Sequence, residues 1–278
     1  MSDEPRHQDE YSPRQTEAAR RVLVDLGQVL GAFQDCLVVV GGWVPDLLLT
    51  GAEEPHVGSI DVDLALDAKK LSDGRYAELV GSLLKTRRYH QTKEPFRLYT
   101  EVDLGDRVAP VRVDVDFLKS PETRTKKNRP TLTKDFRPLD AAGCATAFEN
   151  PELVVVTGQM VKGRKNQVQF RVASIANFLV MKSYALSKRD KPKDAYDICY
   201  CVENYPGGIE AIAVIWKARR KEKHIATAMT ILAEKFAAVD AFGPGQVVEF
   251  YNSANPEERE IQARRAYELV QTFLSQIS

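Results

Sequence analysis

Two short acidic patterns in apolar surroundings are the residues most suited to chemistry. In Asp61-Val62-Asp63 a pair of carboxylates alternates with Ile60, Val62 and Leu64. On an extended strand that spacing puts both acids on one face, roughly 6–7 Å apart along the backbone, and turns the alternate residues to a core. The segment Val111-Arg112-Val113-Asp114-Val115-Asp116-Phe117 repeats the alternation, with Arg112, Asp114 and Asp116 on one face. Like charges held this close and partly desolvated repel unless a cation lies between them. A hard divalent ion meets that need, and Mg²⁺ takes a few carboxylates together with substrate phosphates. If the two strands are neighbours, three or four carboxylates converge, enough for metal ions that bind a triphosphate and activate an attacking hydroxyl. Solvent-facing acids on amphipathic strands are the plainer reading. Aspartate is depleted in strands, however, and two copies in one chain favour a metal site. The expected metal ligands are Asp61 and Asp63 with Asp114 or Asp116. Asp116 is preferred as the catalytic third carboxylate because it lies nearer the loop end of its strand.

A phosphate side goes with the acidic one. Gly41-Gly42 ends the apolar run Leu37-Val38-Val39-Val40 and opens a short helix. Free backbone N–H groups and the helix dipole favour an anion at such a place. A tight strand-to-helix turn explains the dipeptide equally well on its own. Downstream, Lys182 stands among Ile175, Phe178, Leu179, Val180, Met181 and Tyr184, where a charge is unfavourable unless paired. A phosphate or a carboxylate such as Asp194 would pair it, and a snorkelling lysine is the alternative. Asp194 and Asp197 stand three apart on one helix face, and a first-turn dipole role is the plainer account of Asp194.

The succession of a strand ending in Gly-Gly, a helix and then Asp-x-Asp resembles the polymerase-β-type nucleotidyltransferase superfamily. Gly41-Gly42-Trp43 with Gly58-Ser59-Ile60-Asp61-Val62-Asp63-Leu64 is similar to the AbiEii/MenT group, the toxin component of type IV toxin–antitoxin and phage-defence systems. The resemblance extends to the lysine-bearing helix around Lys182 and to Arg189-Asp190-Lys191-Pro192-Lys193-Asp194-Ala195-Tyr196-Asp197, and so spans about 38–197. It implies a Mg²⁺-dependent enzyme that moves a nucleotide from an NTP to an acceptor hydroxyl. Lys182 would hold the nucleotide phosphate, and Asp194, or Asp197 one turn later, would be the last essential acid. Phosphate contacts fall to Gly41, Gly42 and Ser59, because the stretch between Gly42 and Asp61 contains a second glycine-serine element, Gly58-Ser59. The basic residue that often precedes Asp-x-Asp has His56 as its nearest counterpart, which is left outside the site. The group includes enzymes that extend the tRNA acceptor end, so RNA, with tRNA foremost, is the implied acceptor and a cognate antitoxin the implied partner. A silent binding module that keeps the fold, and an antibiotic-type small-molecule nucleotidyltransferase, are the competing readings.

The elements that must position these residues follow from hydrophobic period. Ser12-Pro13-Arg14-Gln15 has capping-box spacing with proline at the first helical position, ahead of Val22, Leu23, Leu26 and Leu30. A buried strand over 36–40, a short helix over 43–49, the acidic strand over 60–66 and a helix over 68–84 come next. Extended chain over 96–102 leads through Gly105-Asp106 into the second acidic strand, and further strands are expected over 153–156 and 168–172. Helical period then takes over, at 173–187, 193–203, 209–217, 225–238 and 256–277. The fold class is therefore α+β: a mixed-sheet nucleotidyltransferase domain over 1–172 and a helical domain over 173–278 that contributes nucleotide-binding residues.

Composition narrows the partners. Hydrophobic residues are 44% and charged residues 28%, an ordinary balance for a folded chain. With 39 basic and 39 acidic residues, a polyanion would have to bind local patches. Three are available: Lys85-Thr86-Arg87-Arg88, residues 124–129 with Lys126, Lys127 and Arg129, and 217–223. Cys36, Cys144, Cys199 and Cys201 lack zinc-ligand spacing and read as reduced thiols. The charged start and the lack of a long apolar run predict a cytoplasmic protein with no membrane partner.

Overall fold

The computed structural model describes residues 5–67, 69–71, 74–123 and 136–278. The basic segment at 124–129 lies outside the described residues. The chain forms two compact units. One is made of 12–44 and 58–174, the other of 1–11, 45–57 and 175–278.

The first unit is built on a mixed sheet. Its elements in chain order are α1 (Pro13–Val29), β1 (Leu37–Val40), the start of α2 (Trp43–Leu48), β2 (Val62–Leu66), α3 (Arg75–Lys85), β3 (His90–Gln91), β4 (Arg97–Val102), β5 (Val111–Lys119), β6 (Leu139–Asp140), β7 (Glu152–Gln159) and β8 (Lys165–Val172). The chain passes to the other unit between Val44 and Pro45 and returns at Gly58. The strand order is β3-β4-β5-β2-β1-β8-β7, with β6 added at the end of β5. The two acidic strands are neighbours: β2 runs parallel to β5, and Asp63 stands opposite Asp116. On the other side of β2, β1 is antiparallel and places Val40 opposite Asp63. Residues of β1 and the alternate residues Val113, Val115 and Phe117 of β5 are buried. A helix packs on β5, β7 and β8: α1, whose Ser12 accepts the Gln15 N–H as the capping box requires. Gly27 lets α1 lie close, since a methyl there would come within 2.7 Å of the Val168 side chain.

The second unit is helical: α4 (Ile175–Lys188), α5 (Pro192–Glu203), α6 (Gly208–Ala218), α7 (Lys223–Lys235), α8 (Phe242–Tyr251) and α9 (Pro256–Ile277). Its core includes Trp216, whose indole N–H donates to the Ala176 carbonyl and whose ring meets Phe273 edge-on. Tyr11, Tyr196 and Phe250 come together from three separate segments: Tyr196 stacks on Phe250, and Tyr11 is tilted against the same ring.

Three local expectations change. The strand expected over 60–66 begins at Val62, because Asp61 bonds away from the ladder: its carbonyl accepts the Trp43 indole N–H at 2.7 Å. The helix expected over 68–84 is seen as α3 from Arg75, with 68 and 72–73 outside the described residues. Helix α8 was not foreseen. Its sequence Phe-Gly-Pro-Gly is poor in helix propensity, and it is held by packing, with Gly243 against the Phe236 ring and the Lys235 carbonyl.

Candidate active site

The acidic centre of the sheet unit is a polar row crossing three strands. Asp116 of β5 has Asp63 of β2 on one side and Arg97 of β4 on the other. Asp61 precedes β2 and receives a 2.6 Å hydrogen bond from the buried Ser59 hydroxyl to its Oδ1. Gly41 explains the seat of Asp63. Its φ is +69°, and a Cβ there would fall 1.9 Å from Asp63 Oδ2. Only glycine satisfies both the left-handed backbone and the close carboxylate. Gly42 is buried at the turn into α2. The structure therefore brings Gly41, Asp63 and Asp116 into one row, with Ser59 fixing Asp61 beside it.

Arg97 is the participant that sequence reasoning missed. Its Nε and Nη2 donate to the two oxygens of Asp116 at 2.6 and 2.7 Å, and Nη1 donates to Asp114 Oδ2 at 3.0 Å. Arg112 donates to the other oxygen of Asp114 at 2.9 Å and lies over the Tyr99 ring. Burial pushes the Asp116 carboxyl up, Arg97 pulls it back, and Asp61 and Asp114 add to the upward push. Asp116 in turn holds the Arg97 guanidinium above its ordinary range, helped by Asp114 and Asp61. No sequence signal marks Arg97, since pairing across antiparallel strands depends on register and not on spacing.

The donors at this centre suit a hard divalent ion: carboxylate oxygens, a hydroxyl close by, and a glycine whose missing side chain leaves room at Asp63. Among the described residues no three His, Cys, Asp or Glu side chains form a metal-holding group by themselves. Mg²⁺ is commonly held by one or two carboxylates and completed by substrate phosphates and water, so Asp61 and Asp63 fit it.

The helical unit holds a second, buried charge cluster. Lys182 Nζ lies 2.8 Å from Asp194 Oδ1 and 2.7 Å from Asp197 Oδ2, the latter an ion pair rather than a directed hydrogen bond. Arg189 also grips Asp194, Lys193 reaches Asp197 Oδ1 at 2.8 Å, and His56 Nε2 lies 2.9 Å from the same oxygen. Both aspartate side chains are fully buried. Burial would raise the Asp194 carboxyl, but Lys182 and Arg189 win and hold it at about 2. Asp197 is held well below the usual range against the same burial, by Lys182 and Lys193. Burial and then Lys193 lower His56 to about 4, so the ring is neutral and its Nε2–H donates to the carboxylate. His56 stacks on Tyr196 and meets Tyr200 edge-on. Its role as a partner of Asp197 was invisible in sequence, because the segment at 45–57 joins the helical unit across more than a hundred residues.

The four cysteines are free and buried, and burial raises the Cys144 and Cys199 thiols to about 12. No helix among the described residues is long and apolar enough to cross a membrane.

Comparison with known proteins gives the class first. The sequence pattern described as "Nucleotidyl transferase AbiEii toxin, Type IV TA system" matches residues 25–270, a stretch that includes both charge clusters. The chain belongs to the AbiEii family of nucleotidyltransferase toxins. No curated protein matches it. Among solved structures it is similar to an antigenic nucleotidyltransferase-like protein from Paracoccidioides brasiliensis, at 16% identity and a TM-score of 0.42, over 79% of this chain and 89% of that one.

Proposed function

We propose that the chain is a Mg²⁺-dependent nucleotidyltransferase that moves a nucleoside monophosphate from an NTP to a hydroxyl of RNA, the tRNA 3′ end foremost, as the cytoplasmic toxin of a toxin–antitoxin pair. The observation that carries this reading is the Asp63 carboxylate seated against left-handed Gly41 with Asp116 opposite it. Asp61 and Asp63 would hold the divalent ion, with Asp114 and Asp116 as further carboxylates of the centre. When bound, the ion neutralises phosphate charge and polarises the phosphorus centre. Gly41, Gly42 and Ser59 supply backbone and hydroxyl donors to phosphate, and Lys182 with Asp194 serves the nucleotide as the family resemblance implies. The acceptor hydroxyl attacks the α-phosphorus, the bond to the bridging oxygen breaks, and pyrophosphate leaves. Asp116, opposite Asp63, is the third carboxylate of this reading.

Incubation with labelled NTPs, Mg²⁺ and total RNA tests this directly. Wild type is expected to label RNA and Asp63→Asn to fall by at least a hundredfold, the scale of an essential electrostatic contact. Equal labelling by both proteins, or no labelling by either, overturns the reading. Label appearing in a small-molecule pool instead would mark an antibiotic-type enzyme. A silent binding module is the second reading, favoured by the complete engagement of Asp116 by Arg97 and of Lys182 by two buried aspartates. Calorimetry separates the two, since that module shows no Mg²⁺-dependent NTP binding.

A further inference from the structure

Arg97 has no part in the scheme above, yet it makes three hydrogen bonds to the acidic centre. It opens β4 directly opposite Asp116, while Asp63 faces Asp116 from the other side. Both oxygens of Asp116 are taken by the fork of Nε and Nη2, and the remaining nitrogen, Nη1, spans to Asp114. Arg97 is 20% exposed and its partners Asp116 and Asp114 are 9% and 17% exposed, so this is no loose surface pair. A bidentate guanidinium supplies fixed geometry as well as charge, which a lysine at the same place would not.

The arrangement answers the repulsion problem that the acidic patterns raise. Carboxylates that crowd in a partly buried place need a counter-charge or lose their ionisation. Arg97 provides it from within the chain. A cation arriving at Asp116 must share or take an oxygen that already accepts a short hydrogen bond. Two cations with a claim on the same oxygens weaken each other's binding, and the coupling is reciprocal.

We propose that Arg97 is the resident counter-cation of the acidic centre, and that Asp116 becomes available to a divalent ion only when the Arg97 guanidinium releases it. The proposal rests on the metal-dependent reading above. It makes Arg97 a positioning residue: its fork holds Asp116 and Asp114 in place, and its release sets the apparent metal affinity.

Titration of the full chain with Mn²⁺, followed by the electron paramagnetic resonance of free ion and with no nucleotide present, tests the competition. Arg97→Met is expected to bind Mn²⁺ at least about fivefold more tightly than wild type, the lower edge of usual site-to-site coupling. Adding Asp116→Asn should abolish that gain, because the oxygen in contention is gone. Arg97→Lys keeps the charge without the fork and should fall between the two. An Arg97→Met affinity equal to or weaker than wild type, a gain that survives Asp116→Asn, or no Mn²⁺ binding by any variant overturns the proposal. Should Arg97→Met not fold, Arg97→Lys decides: tighter binding than wild type supports the exchange, and equal or weaker binding refutes it. The titration contains neither NTP nor acceptor, so absent label transfer and absent exchange are separate failures.

Discussion

At the scale of single residues, Gly41 and His56 show how narrow the tolerances are. Gly41 combines a left-handed backbone with a carboxylate 1.9 Å from where a Cβ would stand. Gly41→Ala is expected to lose about 1–2 kcal/mol from the backbone alone, and more from displacing Asp63. Urea unfolding should show a lowered midpoint, and RNA labelling should fall with it; an unchanged midpoint would contradict the seat described here. His56 gives a pH dependence of definite sign. Its folded pKa of about 4 lies below its ordinary value of 6.5, so the unfolded chain takes up a proton first as pH falls. Stability contributed by the neutral ring is complete above pH 6.5 and is lost on acidification toward pH 4. The slope is about 1.4 kcal/mol per pH unit across that window. His56→Gln keeps an amide donor for Asp197 but cannot titrate, so its urea midpoint should fall less between those pH values than that of wild type. Parallel curves would show that His56 does not carry the effect.

At the scale of elements, the first turns of α5 carry two buried carboxylates, and the cation they share is Lys182 of α4. Lys182 is the bond between the helices: it reaches Asp194 and Asp197 at once. Removing one partner of a buried ion pair leaves the other charged without compensation, at a loss of about 3–5 kcal/mol. Lys182→Met is therefore expected to be strongly destabilised in thermal unfolding, and Lys182→Met combined with Asp197→Asn less so than Lys182→Met alone. If the single variant melts with wild type, the cluster is not the helix tie described here. The sequence displayed part of this. An apolar helix interrupted by one lysine and a downstream Lys-Asp-x-x-Asp run asks for a pairing, and Lys182 and Asp194 are indeed in contact. Lys193 and His56 were not legible, because nothing local says that both converge on one oxygen of Asp197. The same limit applies in the sheet. Alternation announced both acidic strands, whereas the alignment of Asp63, Asp116 and Arg97 depends on strand register, which a single sequence encodes only through turns and burial. Helix α8 was hidden for a different reason: glycine and proline spoil its local signal, and contacts to Phe236 supply what propensity does not.

At the scale of the whole molecule, the 39 basic and 39 acidic residues cancel, so attraction to an RNA backbone must be local. The structure sorts the expected basic clusters by what their members already hold. In the cluster ending α3, Arg88 is committed to Asp25 at 2.9 Å, which removes it from any open patch. At the turn between α6 and α7, Arg219 is engaged by Glu222 and Asn177, and Lys217 reaches the carbonyls of Gln276 and Ser278. Arg220 and Lys221 are exposed at the same turn. A phosphate contact by either would release condensed counterions and steepen the salt dependence of binding by about 0.7 per contact on single strands and about 0.9 on duplex. Arg220→Ala with Lys221→Ala is thus expected to flatten the slope of log affinity against log salt by about 1.4–1.8. Fluorescence anisotropy of labelled tRNA between about 50 and 200 mM salt, the range over which such contacts tell, reads this slope. NTP affinity measured by calorimetry should be unchanged, because neither residue belongs to the carboxylate row or to the Lys182 cluster. A slope that the double variant leaves untouched would remove this turn from the acceptor surface, and a change in NTP affinity would instead tie it to the nucleotide.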